Sequence, residues 1–277
     1  MTIHSYDFEY MRELLRSYCG IVLEADKEYL IEGRLSPLAE EEGFGKLDNL
    51  LARIRTTPFN SLHQKVIEAM VTTETSFFRD FHPFELLKDV VLPEIMTKRA
   101  GERKINIWSN ACASGQEPYS VAMLLDHYCH DILKNWDVQI FASDISAEML
   151  ARAQEGKYNQ VEVNRGLPTA FLLKYFAKKG PWWQLHENIR AMVNFRQINL
   201  VETWSSLPQM DIIFMRNVLI YFDVATKKKV LQKVRRLLKP DAYLFLGGAE
   251  TTIYLDKDFE GIFLGKNVLY RPVDGAK

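Results

Sequence analysis

The chain has 277 residues, of which 47% are hydrophobic and 26% carry a formal charge. This composition can bury a sizeable core, so it excludes a largely disordered chain. The formal net charge is −1 at pH 7, which gives no overall attraction to nucleic acid or to an anionic membrane, and we predict no nucleic-acid partner.

The three cysteines, Cys19, Cys112 and Cys129, are odd in number and include no C-x-x-C pair. This pattern indicates neither a disulfide framework nor a zinc finger, and it suits a reducing cytoplasm. His127, Cys129 and His130 have no second group of ligands at a suitable spacing, so we predict no metal site. Because the N-terminus lacks a signal-peptide pattern and no apolar run reaches the roughly 18 residues that span a bilayer, we expect a cytoplasmic protein without membrane insertion.

Apolar residues at helical spacing predict four helices at the start of the chain. Up to Met70 there are eight Lys or Arg against twelve acidic residues, a net charge of −4 that gives no nucleic-acid footprint. We predict an N-terminal all-helical domain over residues 1–71. Its helices are expected around Phe8 to Tyr18, Leu30 to Leu38, Leu47 to Ile54 and Leu62 to Met70.

The segment V71-T-T-E-T-S-F-F-R-D80 is unusual for a plain linker, because it combines hydroxyl groups, two adjacent aromatic residues and an arginine. Phe77 and Phe78 favour a packed junction between domains. Packing at such a junction explains the charged side chain of Arg79 less easily. We predict residues 72–87 to be a structured connector.

From Phe84 onward, strand and helix patterns alternate, which predicts a mostly parallel sheet covered by helices on both faces. Residues 157–193 break this alternation and predict an inserted subdomain, with a helical run from Phe171 to Phe176 and short strands near Trp182 and Ile189. The predicted strands of the main sheet are I105-N-I-W, V138-Q-I-F-A, N194-F-R-Q-I-N-L, D211-I-I-F-M and Y243-L-F-L-G. A terminal antiparallel hairpin is predicted around a turn at Gly265-Lys266-Asn267.

The last predicted helix extends from Val230 to Leu238 and ends before Pro240. Its outer face is basic, which favours a solvated face over a docking surface for an acidic partner. The basic residues are Lys227, Lys228, Lys229, Lys233, Arg235 and Arg236.

The stretch I105-N-I-W-S-N-A-C-A-S-G-Q-E-P-Y-S120 predicts a strand, a tight turn of small residues and a helix. Such a junction presents free backbone N–H groups and allows a ligand to approach the main chain closely. In open α/β sheets ligands bind outside the carboxyl ends of the strands. Polar residues follow the later strands at Asp144, at Asn199-Leu200 and at Arg216-Asn217.

The turn excludes two common nucleotide-binding motifs. Gly115 stands alone where a dinucleotide-binding G-x-G-x-x-G turn needs three glycines, and no Gly-Lys-Ser/Thr of a P-loop is present. A carboxylate at Asp144 is well placed to accept hydrogen bonds from both hydroxyls of a ribose. A nucleoside ligand without a pyrophosphate remains, and S-adenosylmethionine fits that description.

Four ordered motifs extend over nearly the whole chain. They are T72-T-E-T-S-F-F-R79, W108-S-N-A-C-A-S-G-Q-E-P-Y-S120, F141-A-S-D-I-S146 and F214-M-R-N-V-L-I-Y-F-D223. Together they resemble the bacterial chemotaxis receptor methyltransferases of the CheR family. The resemblance implies a Rossmann-like class I S-adenosylmethionine-dependent methyltransferase sheet in residues 88–277, with an inserted small antiparallel β-subdomain and an N-terminal all-helical domain.

The resemblance implies methyl transfer from S-adenosylmethionine to glutamate side chains on the cytoplasmic helices of chemoreceptors, with S-adenosylhomocysteine as the second product. It also implies that Glu117 holds the cofactor's amino group and that Asp144 holds its ribose. Arg79 is hypothesised to orient the incoming glutamate, and Tyr221 to support the transfer geometry. The rest of the cofactor pocket is expected at Thr73, Thr75, Arg79, Ala111, Asn199, Leu200, Arg216 and Asn217, with the connector closing over it.

Family members that bind a receptor's C-terminal pentapeptide do so through the inserted subdomain. The short turn from Lys178 to Trp183 therefore favours a pentapeptide-independent enzyme. Two alternatives stay open: a methyltransferase for another substrate, and a non-catalytic cofactor-binding regulator. The chain lacks the Pro-Pro-aromatic motif of amino-group DNA methyltransferases after the fourth strand, and Arg79 and Tyr221 argue against a regulator.

Overall fold

A computed structural model describes residues 3–204, 207–265 and 267–273, apart from the side chains of residues 131–133. The four predicted N-terminal helices are confirmed. Their apolar sides form one core, in which Met11, Leu15, Ile31 and Leu35 are fully buried. The helices are α1 (Ser5–Cys19), α2 (Glu28–Glu41), α3 (Leu47–Thr56) and α4 (Ser61–Met70).

After the connector, the chain forms one helical run made of α5 (His82–Leu86), a π-helical segment (Leu87–Val91) and α6 (Leu92–Lys98). This run begins inside the range predicted as connector. Phe84 and Leu87 bury their side chains in the core of the sheet, which explains why the helix starts so early. The proposed boundaries at residues 71/72 and 87/88 stay predictions.

Among the described residues, seven strands form the main sheet, in the order β6-β2-β1-β7-β8-β10-β9. Pairing is parallel from β6 to β8, and β10 is antiparallel to both of its neighbours. The predicted Rossmann-like sheet and terminal hairpin are confirmed, while Lys266 of the predicted turn lies outside the described residues. The strands are β1 (Lys104–Asn110), β2 (Asp137–Asp144), β6 (Val193–Gln197), β7 (Met210–Met215), β8 (Leu238–Leu246), β9 (Phe259–Leu264) and β10 (Asn267–Pro272).

Helices cover both faces of this sheet. Helix α7 (Gln116–Leu133) contributes to the core on one face, and α12 (Val224–Leu237) contributes to the core on the other. Helix α8 (Ala147–Glu155) follows β2. The prediction that the last helix includes Leu238 is wrong, because this residue already pairs with Met210 in the sheet.

The predicted inserted subdomain contains a three-stranded antiparallel sheet. The prediction of a strand near Ile189 is wrong. The carbonyl of His186 accepts the N–H of Ile189 at 3.2 Å, which starts a single turn of helix. Ile189 lies in this turn, and its side chain is buried. The elements are β3 (Lys157–Asn159), α9 (Gln160–Asn164), α10 (Thr169–Tyr175), β4 (Phe176–Lys179), β5 (Trp182–Leu185) and α11 (Glu187–Arg190).

None of the described helices is both long enough and apolar enough to cross a membrane.

A buried ion pair fixes the amino-terminal edge of the sheet. Arg99, just after α6, donates from Nε to Asp211 of β7 at 2.7 Å, and the other oxygen of Asp211 accepts the N–H of Asn106 at 2.9 Å. Asp211 is completely buried, and Lys239 lies 2.9 Å from it. Removing one member of such a group leaves uncompensated buried charge.

Asp211→Asn should therefore lower the free energy of unfolding by about 3 kcal/mol, measured by denaturant titration. The matched control is Asp137→Asn at the start of β2, whose ion pair with Lys104 is exposed on both sides. That change should cost less than about 1 kcal/mol. Equal losses in the two variants would contradict the assignment.

Candidate active site

An open cleft lies at the carboxyl edge of the sheet, where the strand order reverses between β1 and β7. It contains about 1040 Å³ of empty space when the part open to solvent is included. The N-terminal helical region supplies the opposite wall, through Cys19, Ile21 and Val71. Every predicted site residue except Thr73 lines this cleft: Thr75, Arg79, Ala111, Glu117, Asp144, Asn199, Leu200, Arg216, Asn217 and Tyr221.

The turn after β1 leaves its main chain open to a ligand. Ala111 and Ala113 have positive φ angles of 49° and 46°, and Gly115 follows at 91°. A Cβ on Gly115 would lie 2.9 Å from the Cβ of Ala153 in α8, so the turn packs there too closely for a larger residue. Small side chains and a sharp turn together give a ligand access to the start of α7.

Glu117 in the first turn of α7 is buried, and each of its carboxylate oxygens accepts one hydrogen bond while keeping a lone pair for a further donor. One carboxylate oxygen accepts the Ser109 hydroxyl at 2.8 Å, and the other accepts Nη1 of Arg216 at 2.9 Å. The Arg216 guanidinium also donates to Asp80 at 2.6 Å and to the carbonyl of Arg79 at 3.0 Å. One arginine thereby joins the end of β7, the connector and α7.

Asp144 ends β2 and is 6% exposed. Its two oxygens accept the backbone N–H groups of Ala113 at 2.8 Å and Ser146 at 2.9 Å. Burial raises the pKa of this carboxyl, and the N–H donors oppose that increase. Each oxygen has lone pairs left for further donors on the cleft side.

The connector forms one wall of the cleft through Thr72, Glu74, Thr75 and Arg79. Thr73 is exposed and does not line the cleft, whereas its neighbours Thr72 and Glu74 do. The predicted contact at Thr73 stays a prediction. The Arg79 guanidinium donates to the carbonyl of Glu74 at 3.2 Å and lies at the cleft wall.

Asn199 and Tyr221 connect the sheet edge to the N-terminal helices. The Asn199 amide donates to the carbonyl of Tyr18 in α1 at 2.7 Å. The carbonyl of Tyr221 accepts the N–H of Val22 at 2.9 Å, beside an antiparallel bridge between Ile21 and Phe222. The N-terminal region therefore holds both residues from the far side of the cleft.

Sequence reasoning missed Asp80 and Glu250. Asp80 stands next to Arg79, but its role depends on its pairing with Arg216, which is distant in the chain. Glu250 follows β8, and the rule that directed attention to the ends of the other strands also applies to this one. Inspecting the residues after that strand would have found it.

The Glu250 carboxylate fixes the loop after β7. It accepts the N–H groups of Asn217 at 2.7 Å, Val218 at 2.8 Å, Ile220 at 3.3 Å and Gly247 at 2.7 Å. Asn217 has a φ of 59°, a conformation that is unfavourable for most residues with a side chain. Because these donors converge on one acceptor, the loop that follows Arg216 is held in a single shape.

Comparison with known proteins identifies relatives for nearly the whole chain. Family models described as "CheR methyltransferase, all-alpha domain" and "CheR methyltransferase, SAM binding domain" match residues 6–71 and 73–267. "Chemotaxis protein methyltransferase Cher2" of Pseudomonas putida is 40% identical over 274 residues, covering 98% of this chain and 99% of that protein. "Chemotaxis protein methyltransferase 1" of Pseudomonas aeruginosa is 41% identical with the same coverage, and its namesake in Vibrio cholerae is 38% identical over 275 residues, covering 98% of each chain.

Glu250→Gln should lower the free energy of unfolding by about 2 to 3 kcal/mol, because the amide NH₂ would face backbone N–H groups that need an acceptor. Denaturant titration measures the change. Glu260→Gln, at an exposed position of β9, is the matched control and should have almost no effect. If Glu250→Gln were as neutral as the control, the carboxylate would not be fixing this loop.

Proposed function

This chain belongs to the CheR methyltransferase family and uses S-adenosylmethionine, and from this premise we propose that it methylates glutamate side chains on the helical cytoplasmic parts of chemoreceptors. The observation that carries the proposal is that two buried carboxylates, Glu117 and Asp144, line the same cleft as Arg79 and Tyr221. The three described thiols are buried and unpaired, which suits an enzyme working in the cytoplasm.

The cleft fits the cofactor in chemistry, and the turn at Ala111 to Gly115 allows close approach to the main chain. We assign the ribose hydroxyls to Asp144, which has free acceptor capacity. The cofactor's ammonium group goes to Glu117. We also propose that Asn199, Leu200 and the Arg216-Asn217 loop contact the rest of the cofactor, and that Thr75 contacts it from the connector.

Bound S-adenosylmethionine supplies an electrophilic methyl group, which becomes bonded to the glutamate oxygen while S-adenosylhomocysteine leaves, and no proton is exchanged. A glutamate side chain is already ionised at neutral pH, so the protein needs no general base. Arg79 orients the carboxylate, and Tyr221 supports it from the opposite wall. Excluding water helps because charge is lost in the transition state. Positioning therefore accounts for most of the catalysis.

Cys19 also lines the cleft, but it is unsuited to act as a nucleophile. Its burial raises the pKa of the thiol to about 11, so the thiol stays protonated at neutral pH. This supports direct transfer to the receptor glutamate without an intermediate on the enzyme.

We also propose that the enzyme works without the receptor's C-terminal pentapeptide. The connection between β4 and β5 consists of Gly180 and Pro181, which leaves little surface for a bound peptide. Calorimetric titration of the pentapeptide into the pure protein should give no heat of binding, and clear binding would contradict this part of the proposal.

The function is tested by incubating the enzyme with methyl-labelled S-adenosylmethionine and a receptor cytoplasmic fragment. Label should enter the receptor and be released as methanol by mild base, because a glutamyl methyl ester is base-labile. Base-stable label would indicate a different acceptor group. Cofactor binding without any transfer to several receptor fragments would favour a non-catalytic regulator.

The roles of Arg79 and Asp144 predict that one substitution lowers the rate of methyl transfer and the other lowers the affinity for the cofactor. Arg79→Ala should lower the rate of methyl transfer by about 100-fold, because the glutamate is no longer oriented. Its affinity for S-adenosylhomocysteine, measured by calorimetry, should change much less. Asp144→Asn should weaken that affinity by at least about tenfold, because hydrogen bonds to a charged acceptor are lost. Equal losses of rate and affinity in both variants would overturn the two assignments.

A further inference from the structure

Helix α12 carries six Lys or Arg residues and no acidic residue among its 14 positions. Val230, Leu231 and Val234 bury its inner side. Lys228 and Lys229 are exposed on the outer side, and neither forms an ion pair with any residue in the described ranges. Neighbouring like charges repel one another, so this face gains from binding an anionic partner.

The helix starts at the mouth of the candidate active site. It begins three residues after Tyr221, with Asp223 as its N-cap. Three aliphatic side chains around this point are exposed to solvent: Val22 at 40%, Ile220 at 45% and Val224 at 58%. The pairing of residues 21 and 22 with Tyr221 and Phe222 holds the two segments together. An apolar patch thus adjoins the basic face.

We propose that this rim surface, made of Val22, Ile220, Val224, Lys228 and Lys229, binds the glutamate-bearing helix of the receptor during methyl transfer. The inference rests on the proposed function. A substrate glutamate must reach Tyr221 from outside the cleft. Lys228 follows Val224 by one helical turn, about 6 Å along the axis, so it lies within reach of acidic residues one or two turns from that glutamate.

The charge of the N-terminal helices supports the same occupant. Helix α2 contains four glutamates and one arginine, so its own charge repels an acidic helix. The basic start of α12 attracts an acidic receptor helix and α2 does not, and this difference favours the rim surface as the binding site. The exposed aliphatic residues then contribute contact area close to the reacting carboxylate.

The rim surface also distinguishes substrate from product. Each transfer converts a negatively charged glutamate into a neutral ester, so the receptor helix loses one charge that the lysines attract. Binding therefore weakens as methylation proceeds, which favours release of the methylated segment and rebinding of an unmethylated one.

The test uses the double charge reversal Lys228→Glu/Lys229→Glu. The KM for an unmethylated receptor cytoplasmic fragment should rise about tenfold at low ionic strength. The kcat and the affinity for S-adenosylhomocysteine should stay within about twofold of wild type, because neither lysine lines the cleft. Adding salt should raise the wild-type KM and narrow the difference between the two proteins.

The matched control is Lys178→Glu/Lys179→Glu, which makes the same charge change at exposed positions on β4. It should leave KM unchanged. An equal rise of KM in both variants would indicate an effect of net charge. A rise of KM in the control alone would indicate that the receptor binds at the inserted subdomain. Either result contradicts the proposal.

A competition experiment tests whether the enzyme prefers the charged, unmethylated receptor segment to a neutral one. A receptor fragment with its target glutamates replaced by glutamine should inhibit the wild-type enzyme less strongly than the unmethylated fragment. This preference should be smaller in Lys228→Glu/Lys229→Glu, where Arg79 still recognises the carboxylate but the attraction of the two lysines is lost. Failure of the wild-type enzyme to esterify any receptor would contradict the proposed function itself. Normal esterification with an unchanged KM in the charge-reversal variant would contradict the rim surface alone.

Discussion

The buried guanidinium of Arg216 is the interaction on which the rest of the site depends. It lies between the carboxylates of Glu117 and Asp80, which belong to α7 and to the connector. A buried charge costs several kcal/mol unless it is paired and hydrogen-bonded. The three segments must therefore keep one relative arrangement. The carboxylate of Glu250 fixes the loop that begins at Arg216, so the arginine enters the site from a rigid support.

The same arrangement suits a reaction that needs positioning more than proton transfer. The connector carries Arg79 to the cleft wall while its carbonyl and the neighbouring Asp80 are tied to Arg216. On the opposite side, the carbonyl of Tyr18 holds Asn199, and Glu68 accepts the hydroxyl of Ser146 at 3.0 Å. The N-terminal helices are thus part of the site, because they restrict both the cleft and the access of water to it.

Local patterns predicted the strands and the residues at their carboxyl ends, because each strand's periodicity and the polar residues after it lie in one short segment. The hydrogen-bond partners of these residues were harder to predict from the sequence. The pairing of Arg216 with Asp80 joins positions that only the fold brings together. The position of Glu250 after β8 could have drawn attention to it, but the backbone N–H groups that it binds have no sequence signature. Ile189 was misassigned because a short apolar stretch suits a strand or one turn of helix equally well. The contact at Thr73 stays a prediction, because the resemblance identifies a motif without stating which side of the connector faces the cleft.

The cleft organised around Arg216 is proposed to bind the cofactor between the ends of β1, β2 and β7. A crystal structure of the enzyme with S-adenosylhomocysteine is the decisive measurement. The ribose hydroxyls should lie within hydrogen-bond distance of Asp144, and the ammonium group should lie beside Glu117, whose bond to Arg216 should be retained. A ligand bound elsewhere, or one whose ribose lies away from Asp144, would contradict this proposal.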